Sequence, residues 1–315
     1  MNMTKELFRN LKFYGMKIGK HPLPLLVCLF FWSIVALIKP SLGYKKKFER
    51  LKKYLLGEFG FLMNQVAPVP QKECNGSRIV WFFWWQGVDS MPDICKCCFE
   101  SLKRNCGDAK INIVDQCSLE KYLVVPQEIL DKVKTGVFSI THLSDVVRVM
   151  LLSQYGGLWV DATLFFVNPI PQSWFECPFF SIKNRQNSFA YISQNRWSTF
   201  IMGTNRQSDF FGLLSELMKE YAVRKMDFID YMTIDVFMDL LFDIPRYKEL
   251  ISELPVQNEG LHELRLLLNS PFDAEQWNRM KSVNTCFKLT YKMRFYNQVD
   301  NVDTYYKRLV NDEKK

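Results

Sequence analysis

An α/β fold, a mixed sheet flanked by helices, is predicted for this chain on three observations. Strand-like and helix-like stretches alternate from residue 78 onward. Of the 315 residues, 48% are hydrophobic and 23% charged, a balance that fills a large core. Residues 144–163 read as a buried helix, a glycine stop and an apolar strand that carries one carboxylate, Asp161, to its far end.

The elements follow in order. Residues 78–84, rich in aromatic and β-branched side chains, predict the first strand. A helix over 92–105 has proline near its first turn. Residues 110–115 form a second strand, and Pro126 restarts the helical pattern of 119–134. Ser144 is read as the cap of the next helix, Gly156 and Gly157 as its left-handed stop, and 158–167 as one continuous central strand. A further strand is expected at 179–183, helices at 209–225, 231–242 and 273–281, and a last strand at 287–292. There is no internal repeat.

The net charge of +8 is unevenly placed. Residues 1–53 hold 12 Lys and Arg against Glu6 and Glu49, a local +10, while the remainder carries 29 basic against 31 acidic residues. A nucleic-acid reader would line its folded surface with that charge, so no nucleic-acid partner is expected. Residues 22–38 contain no charge and have basic residues on both sides. As a helix they would extend roughly 26 Å at about 1.5 Å per residue, against a bilayer core of about 30 Å. Residues 1–72 are therefore read as a basic, apolar, membrane-associating helical segment, ending in the stiff linker 67–71, and 73–315 as the main domain. The expected partner of that segment is an anionic membrane surface, which it spans or enters from one side; an ordinary buried helix is the bland alternative. Nine cysteines, an odd number in a chain of this size, read as reduced thiols, including those in Cys95-Lys96-Cys97-Cys98.

Asp145, Arg148 and Asp161 are the charges in an otherwise apolar block, and a buried charge needs a partner, a metal or a polar ligand. Asp145 and Arg148 lie three apart on one helix face, an ion pair at the least. Asp161, at the carboxyl end of a strand in an open α/β sheet, stands where ligands bind, and Thr163 adds a hydroxyl beside it. Together these two are candidate ligands for Mg²⁺ or Mn²⁺. Trp84, Gln86 and Gly87 stand at the end of the first strand, and Lys288 and Lys292 share a face of the last one, where they either neutralise phosphate or line an exposed edge. The segment 195–200 and the helix with Tyr231 and Asp235 are acceptor-side candidates. There is no nucleophile elbow, phosphate loop or dinucleotide fingerprint, and His142 reads as a structural neighbour.

The run Ser144-Asp145, Arg148, Tyr155-Gly156-Gly157 and the strand ending in Asp161 resembles the capsular polysaccharide synthesis protein family of bacterial sugar transferases. More distantly it is similar to glycosyltransferase family 32 and the clostridial glucosylating toxins. Thr163 stands where the farther relatives carry a second Asp, an ending the capsular family tolerates. Phe287 stands where that family carries His before the Lys-Leu-Thr-Tyr-Lys of 288–292.

The resemblance covers about residues 75–295. It implies a GT-A-like, Rossmann-type sheet and a sugar transfer that retains configuration, from a nucleotide-sugar, UDP-linked by expectation, to a growing lipid-linked polysaccharide. It also implies that Trp84 stacks on the base, that Asp145 accepts hydrogen bonds from ribose or sugar hydroxyls, that Arg148 faces donor sugar or phosphate, and that Ser144 belongs to the donor site. The place of action would be the cytoplasmic face of the bacterial inner membrane. A non-catalytic nucleotide-sugar or glycan-binding scaffold is the alternative, favoured by Thr163 and Phe287, and a lumenal transferase of a secretory organelle is a second.

Overall fold

The computed structural model of the chain describes residues 3–65, 78–184, 188, 190–205 and 207–312. Four helices come first: α1 (Met3–Gly15), α2 (Leu23–Ile38), α3 (Pro40–Phe59) and the single turn α4 (Leu62–Gln65). The linker expected at 67–71 lies outside the described residues.

The alternating region follows as β1 (Ile79–Phe83), α5 (Asp93–Asn105), β2 (Lys110–Val114), α6 (Gln127–Lys134), α7 (Ile140–Tyr155) and β3 (Gly157–Val160). Next come β4 (Leu164–Phe166), α8 (Ser173–Glu176), β5 (Phe180–Ser181) and β6 (Ile201–Thr204). The chain then turns mainly helical: α9 (Asp209–Arg224), α10 (Thr233–Phe242), α11 (Pro245–Ser252), α12 (Glu263–Leu267) and α13 (Ala274–Val283). It closes with β7 (Cys286–Lys288), the small hairpin of β8 (Gln298–Val299) and β9 (Val302–Asp303), and α14 (Tyr305–Asp312).

The main sheet has the order β2-β1-β3-β6-β5. β1 is parallel to both β2 and β3, while β6 runs antiparallel to β3 and β5 antiparallel to β6. Side chains alternate across it with period two. Trp81, Phe83 and Trp159 enter one core with α7, α9 and α10, and Val80, Phe82, Leu158 and Val160 enter the other with α5, β7 and α14. The crossover helices α5 and α7 thus lie on opposite faces, so the winding reverses between β1 and β3. In an open α/β sheet that reversal leaves a crevice beyond the carboxyl ends of the two strands.

Several expectations are corrected. The central strand does not run through 158–167. It ends at Val160, the chain turns through residues 161–163, and β4 pairs antiparallel with β7 in a second sheet. The helix before it starts five residues earlier than expected. Ser139, not Ser144, is its cap, accepting from the His142 backbone N–H at 3.2 Å, while the Ser144 hydroxyl donates to Thr141 O inside the helix. Gly156 and Gly157 both hold the positive φ expected of the stop. The last strand is shorter than 287–292, ending at Lys288.

The first three helices pack onto the body. Leu51, Leu55 and Phe59 of α3 are fully buried in the same core as α9 and α10. Much of the N-terminal basic charge is consumed there: Lys17, Lys20 and His21 meet Asp227, Lys47 meets Asp230, and Lys52 meets Asp239 and Asp243. Among the described residues, no helix is long and apolar enough to cross a membrane.

Candidate functional site

Where β1 and β3 end, a cleft of about 570 Å³ opens, within the range of small-ligand sites. The turn after β1 contributes Trp84, Trp85 and Gln86, α7 contributes Thr141 and Ser144, and the turn after β3 contributes Asp161, Ala162 and Thr163. The stretch after β7 adds Lys288, Thr290, Tyr291 and Lys292, with Tyr231 and Arg265 from the helical region.

Asp161 is the hub. Its Oδ1 accepts from Trp159 Nε1 at 2.8 Å and from Arg148 Nη2 at 3.2 Å, and its Oδ2 accepts from Lys288 Nζ at 2.8 Å. Burial alone would raise its pKa, but the charges of Lys288 and Arg148, with the hydrogen bonds from Lys288 and Trp159, hold it below the ordinary value. The side chain is a quarter exposed, on the cleft side. Lys288 also stands over the Phe200 ring, 4.6 Å from its centroid.

Beneath this lies a buried polar layer. Arg148 Nη2 stands 3.2 Å from Asp145 Oδ1, its Nη1 donates to Thr199 O at 2.6 Å, and its guanidinium covers the Trp159 ring at 5.0 Å. Burial pushes the Asp145 carboxyl up to about 7, against the pull of Arg148 and with the push of Asp161 and Asp235. Burial likewise raises Asp235 to about 6, although Trp197 Nε1 donates to it at 2.9 Å. One guanidinium therefore serves two carboxylates, and the outer one, Asp161, takes most of the charge.

The expected site residues thus divide. Trp84, Gln86, Ser144, Asp161, Thr163, Lys288 and Lys292 line the cleft, whereas Asp145 and Arg148 sit below its floor and reach it through Asp161. Trp84 Nε1 donates to Ser90 Oγ at 3.0 Å, and its ring meets Tyr291 edge-on at 5.6 Å. Gly87 holds φ +83°, a conformation that demands glycine. Trp197, in the acceptor-side candidate segment 195–200, is buried on Asp235 with Arg196 stacked over it. His142 stacks on Phe228 at 4.3 Å, and burial drops its pKa to about 4, the behaviour of a structural neighbour. The cysteines of α5, Cys95, Cys97 and Cys98, are buried.

Sequence reasoning missed Arg265 and Tyr291. Arg265 lies in a helix of five residues with no motif around it, and only the chain's folding back toward β7 brings it to the cleft.

The sequence expectation at Asp161 and Thr163 is a divalent ion. Both Asp161 oxygens are already bonded, one of them to an ammonium, and a divalent ion would have to displace Lys288. Thr163 offers one neutral oxygen. Among the described residues, no cluster of three His, Cys, Asp or Glu side chains is suited to a metal. As placed, these residues do not form a ready divalent site.

A family model described as "Capsular polysaccharide synthesis protein" matches residues 38–309. No curated protein matches the chain. Among solved structures, one titled "PaToxG Glycosyltransferase" is similar over 75% of this chain and 94% of that chain, at 12% identity and a TM-score of 0.40.

Proposed function

The chain belongs to the capsular polysaccharide synthesis protein family, and from that premise we propose that it is a GT-A-like glycosyltransferase. Its donor is a nucleotide-sugar, UDP-linked, and its acceptor a growing lipid-linked capsular or exopolysaccharide at the cytoplasmic face of the membrane. One observation carries the reading. At the crevice between β1 and β3, an ionised Asp161 is held between Lys288 and Arg148, in a cleft that also presents a tryptophan and two further cations.

The chemistry follows from those groups. The bond between the anomeric carbon and the diphosphate oxygen breaks, its electron pair leaves with the diphosphate, and the acceptor hydroxyl oxygen forms the new bond as its proton passes to the departing diphosphate oxygen. Charge grows on the departing diphosphate, and Lys288, Lys292 and Arg265 are the chain's own groups to offset it. Asp161 accepts a hydrogen bond from a hydroxyl of the donor sugar. Asp145 and Arg148 act one layer down, as positioning residues that fix Asp161. Trp84 offers an aromatic edge or face for the base. Retention of configuration is part of the proposal on the strength of the 144–163 resemblance.

A panel of UDP-, GDP- and CMP-sugars in a thermal-shift assay, followed by donor hydrolysis with the responding sugar, tests the reading. Wild type should turn over, and both Asp161→Asn and Asp161→Ala should lose at least about 100-fold. The scaffold reading draws on Thr163 and Phe287, and on an Asp161 that already holds three partners within the chain. Donor binding without turnover in wild type establishes that reading instead, and absence of any nucleotide response sinks both.

A further inference from the structure

We propose that the α1–α2 hairpin docks in the plane of an anionic lipid leaflet, with one face of α2 entering the acyl boundary and the basic residues of the flanking helices meeting the headgroups. Nothing in this depends on what the cleft binds.

The observation is a helix with two apolar faces, of which the fold uses one. Leu26, Leu29, Ser33 and Ala36 recur at spacings of three and four and are buried. Leu23, Val27, Phe31 and Ile38, at spacings of four, four and seven, form the opposite face and stand 54–72% exposed. Phe8, Leu11, Met16 and Ile18 extend exposed apolar surface onto α1 and the turn. Twelve of the 22 exposed large hydrophobic side chains described lie within residues 1–61, about a fifth of the chain. Single exposed apolar residues need no explanation, but a concentration of this kind does.

Charge selects the occupant. Lys5 and Lys12 on α1, Lys39 at the end of α2, and Lys45, Arg50 and Lys53 on α3 are exposed, so the helices that carry and flank the apolar face are positively charged at their surface. An interfacial helix on an anionic leaflet shows this combination. A second copy meeting the same face across a two-fold axis would set like charges against each other.

Geometry excludes a span. α2 has 16 residues, about 24 Å of helix against a core of about 30 Å. Its inner side is fastened to the body. Tyr14 and Ser33 share a hydrogen bond of 2.9 Å, Lys17 and His21 reach the buried Asp227 at 3.0 and 2.6 Å, and Lys47 reaches Asp230 at 2.7 Å. Threading α2 through a bilayer would break those pairs; lying flat keeps all of them.

The test is vesicle sedimentation of the full chain with phosphatidylcholine vesicles, with and without phosphatidylglycerol. Wild type is expected to bind the anionic vesicles at least about tenfold better, with the advantage lost in high salt. The double variant Val27→Asp, Phe31→Asp should lose binding by about tenfold or more while melting like wild type, and Ile38→Asp should lose part of it. Val124→Asp, at an exposed apolar site outside the hairpin, is expected to bind like wild type.

Wild type left in the supernatant overturns the proposal, as does undiminished binding by the double variant. A dimer by light scattering that the double variant dissociates, without vesicle binding, assigns the face to a second copy and also overturns it. Resistance of the bound chain to alkaline carbonate extraction overturns the in-plane geometry. Donor-induced thermal shifts measured on the same samples keep the outcome separate from that of the transferase reading.

Discussion

Two helices of 16 residues, α2 and α7, are both strongly apolar in sequence, and the fold treats them in opposite ways. α7 carries Asp145 and Arg148 yet is buried along one unbroken stretch, residues 145–152. α2 carries no charge yet leaves a whole row of large side chains in the open. The difference teaches that hydropathy does not decide burial on its own. Charges enter a core when they have partners, here each other, Asp161 and the Thr199 carbonyl, and apolar surface stays outside when the sheet has no face left to cover it.

The comparison can be broken most forcefully at Arg148. Its replacement by Met leaves Asp145 and Asp161 without their shared cation, and the expected loss of stability is about 3–5 kcal/mol, read from denaturant midpoints. Should Arg148→Met melt like wild type, the buried pair is not what admits α7 to the core. On α2 the contrast is within a single helix. Leu29→Ala, at a fully buried position, should cost about 2–5 kcal/mol, while Phe31→Ala on the outer face should change stability by no more than about 0.5 kcal/mol. Equal effects at the two positions erase the two-faced description.

pH sharpens the comparison from the α7 side. The fold favours the protonated form of Asp145, whose value rises to about 7, over the unfolded chain's value of about 4. Between those two pH values the unfolded state binds fewer protons, so this group's contribution declines as pH rises through the window and levels off above it. A tenfold change in a proton's affinity corresponds to about 1.4 kcal/mol, so the whole decline is on the order of a few kcal/mol. Asp145→Asn should flatten that slope in pH-dependent melts; an unchanged slope removes Asp145 as its source.

Two smaller effects concern the cleft, the place where α7 meets solvent through Asp161. Lys288→Met should weaken binding of the responding nucleotide-sugar by about tenfold in calorimetry, and it frees one oxygen of Asp161. Divalent-metal removal with EDTA should change wild-type donor affinity less than Lys288→Met does, because the chain's own cations already occupy that carboxylate. A larger effect of EDTA would return the metal to the site.

Much of this could be read without coordinates, and the gaps have physical causes. Periodicity and breakers located β1, α5, β2, α9 and α10 to within a few residues, because those segments obey one period and end at proline, glycine or a polar cluster. The break of the central strand after Val160 was invisible, since residues 164–166 are as apolar as 158–160 and nothing in composition says that they change sheets. Ser144 looked like a cap because serine precedes the apolar run, but the helix had already begun at Ile140, where Ser139 does that work. Lys288 was legible as a candidate by its alternation with Thr290 and Lys292 and by the resemblance of 288–292; its bond to Asp161, 127 residues away in sequence, was not.

By itself the sequence determined the local facts of this protein: where most of the strands and helices lie, that Asp145 and Arg148 share a helix face, and that the basic charge gathers in the first 53 residues. These depend on near neighbours, whose spacing is written in the chain. Only the tertiary structure decided which apolar face is covered, which lysines are consumed by buried aspartates, and which cations meet at Asp161. Those outcomes join residues far apart in sequence, and their energies exist only once the layers have closed on one another.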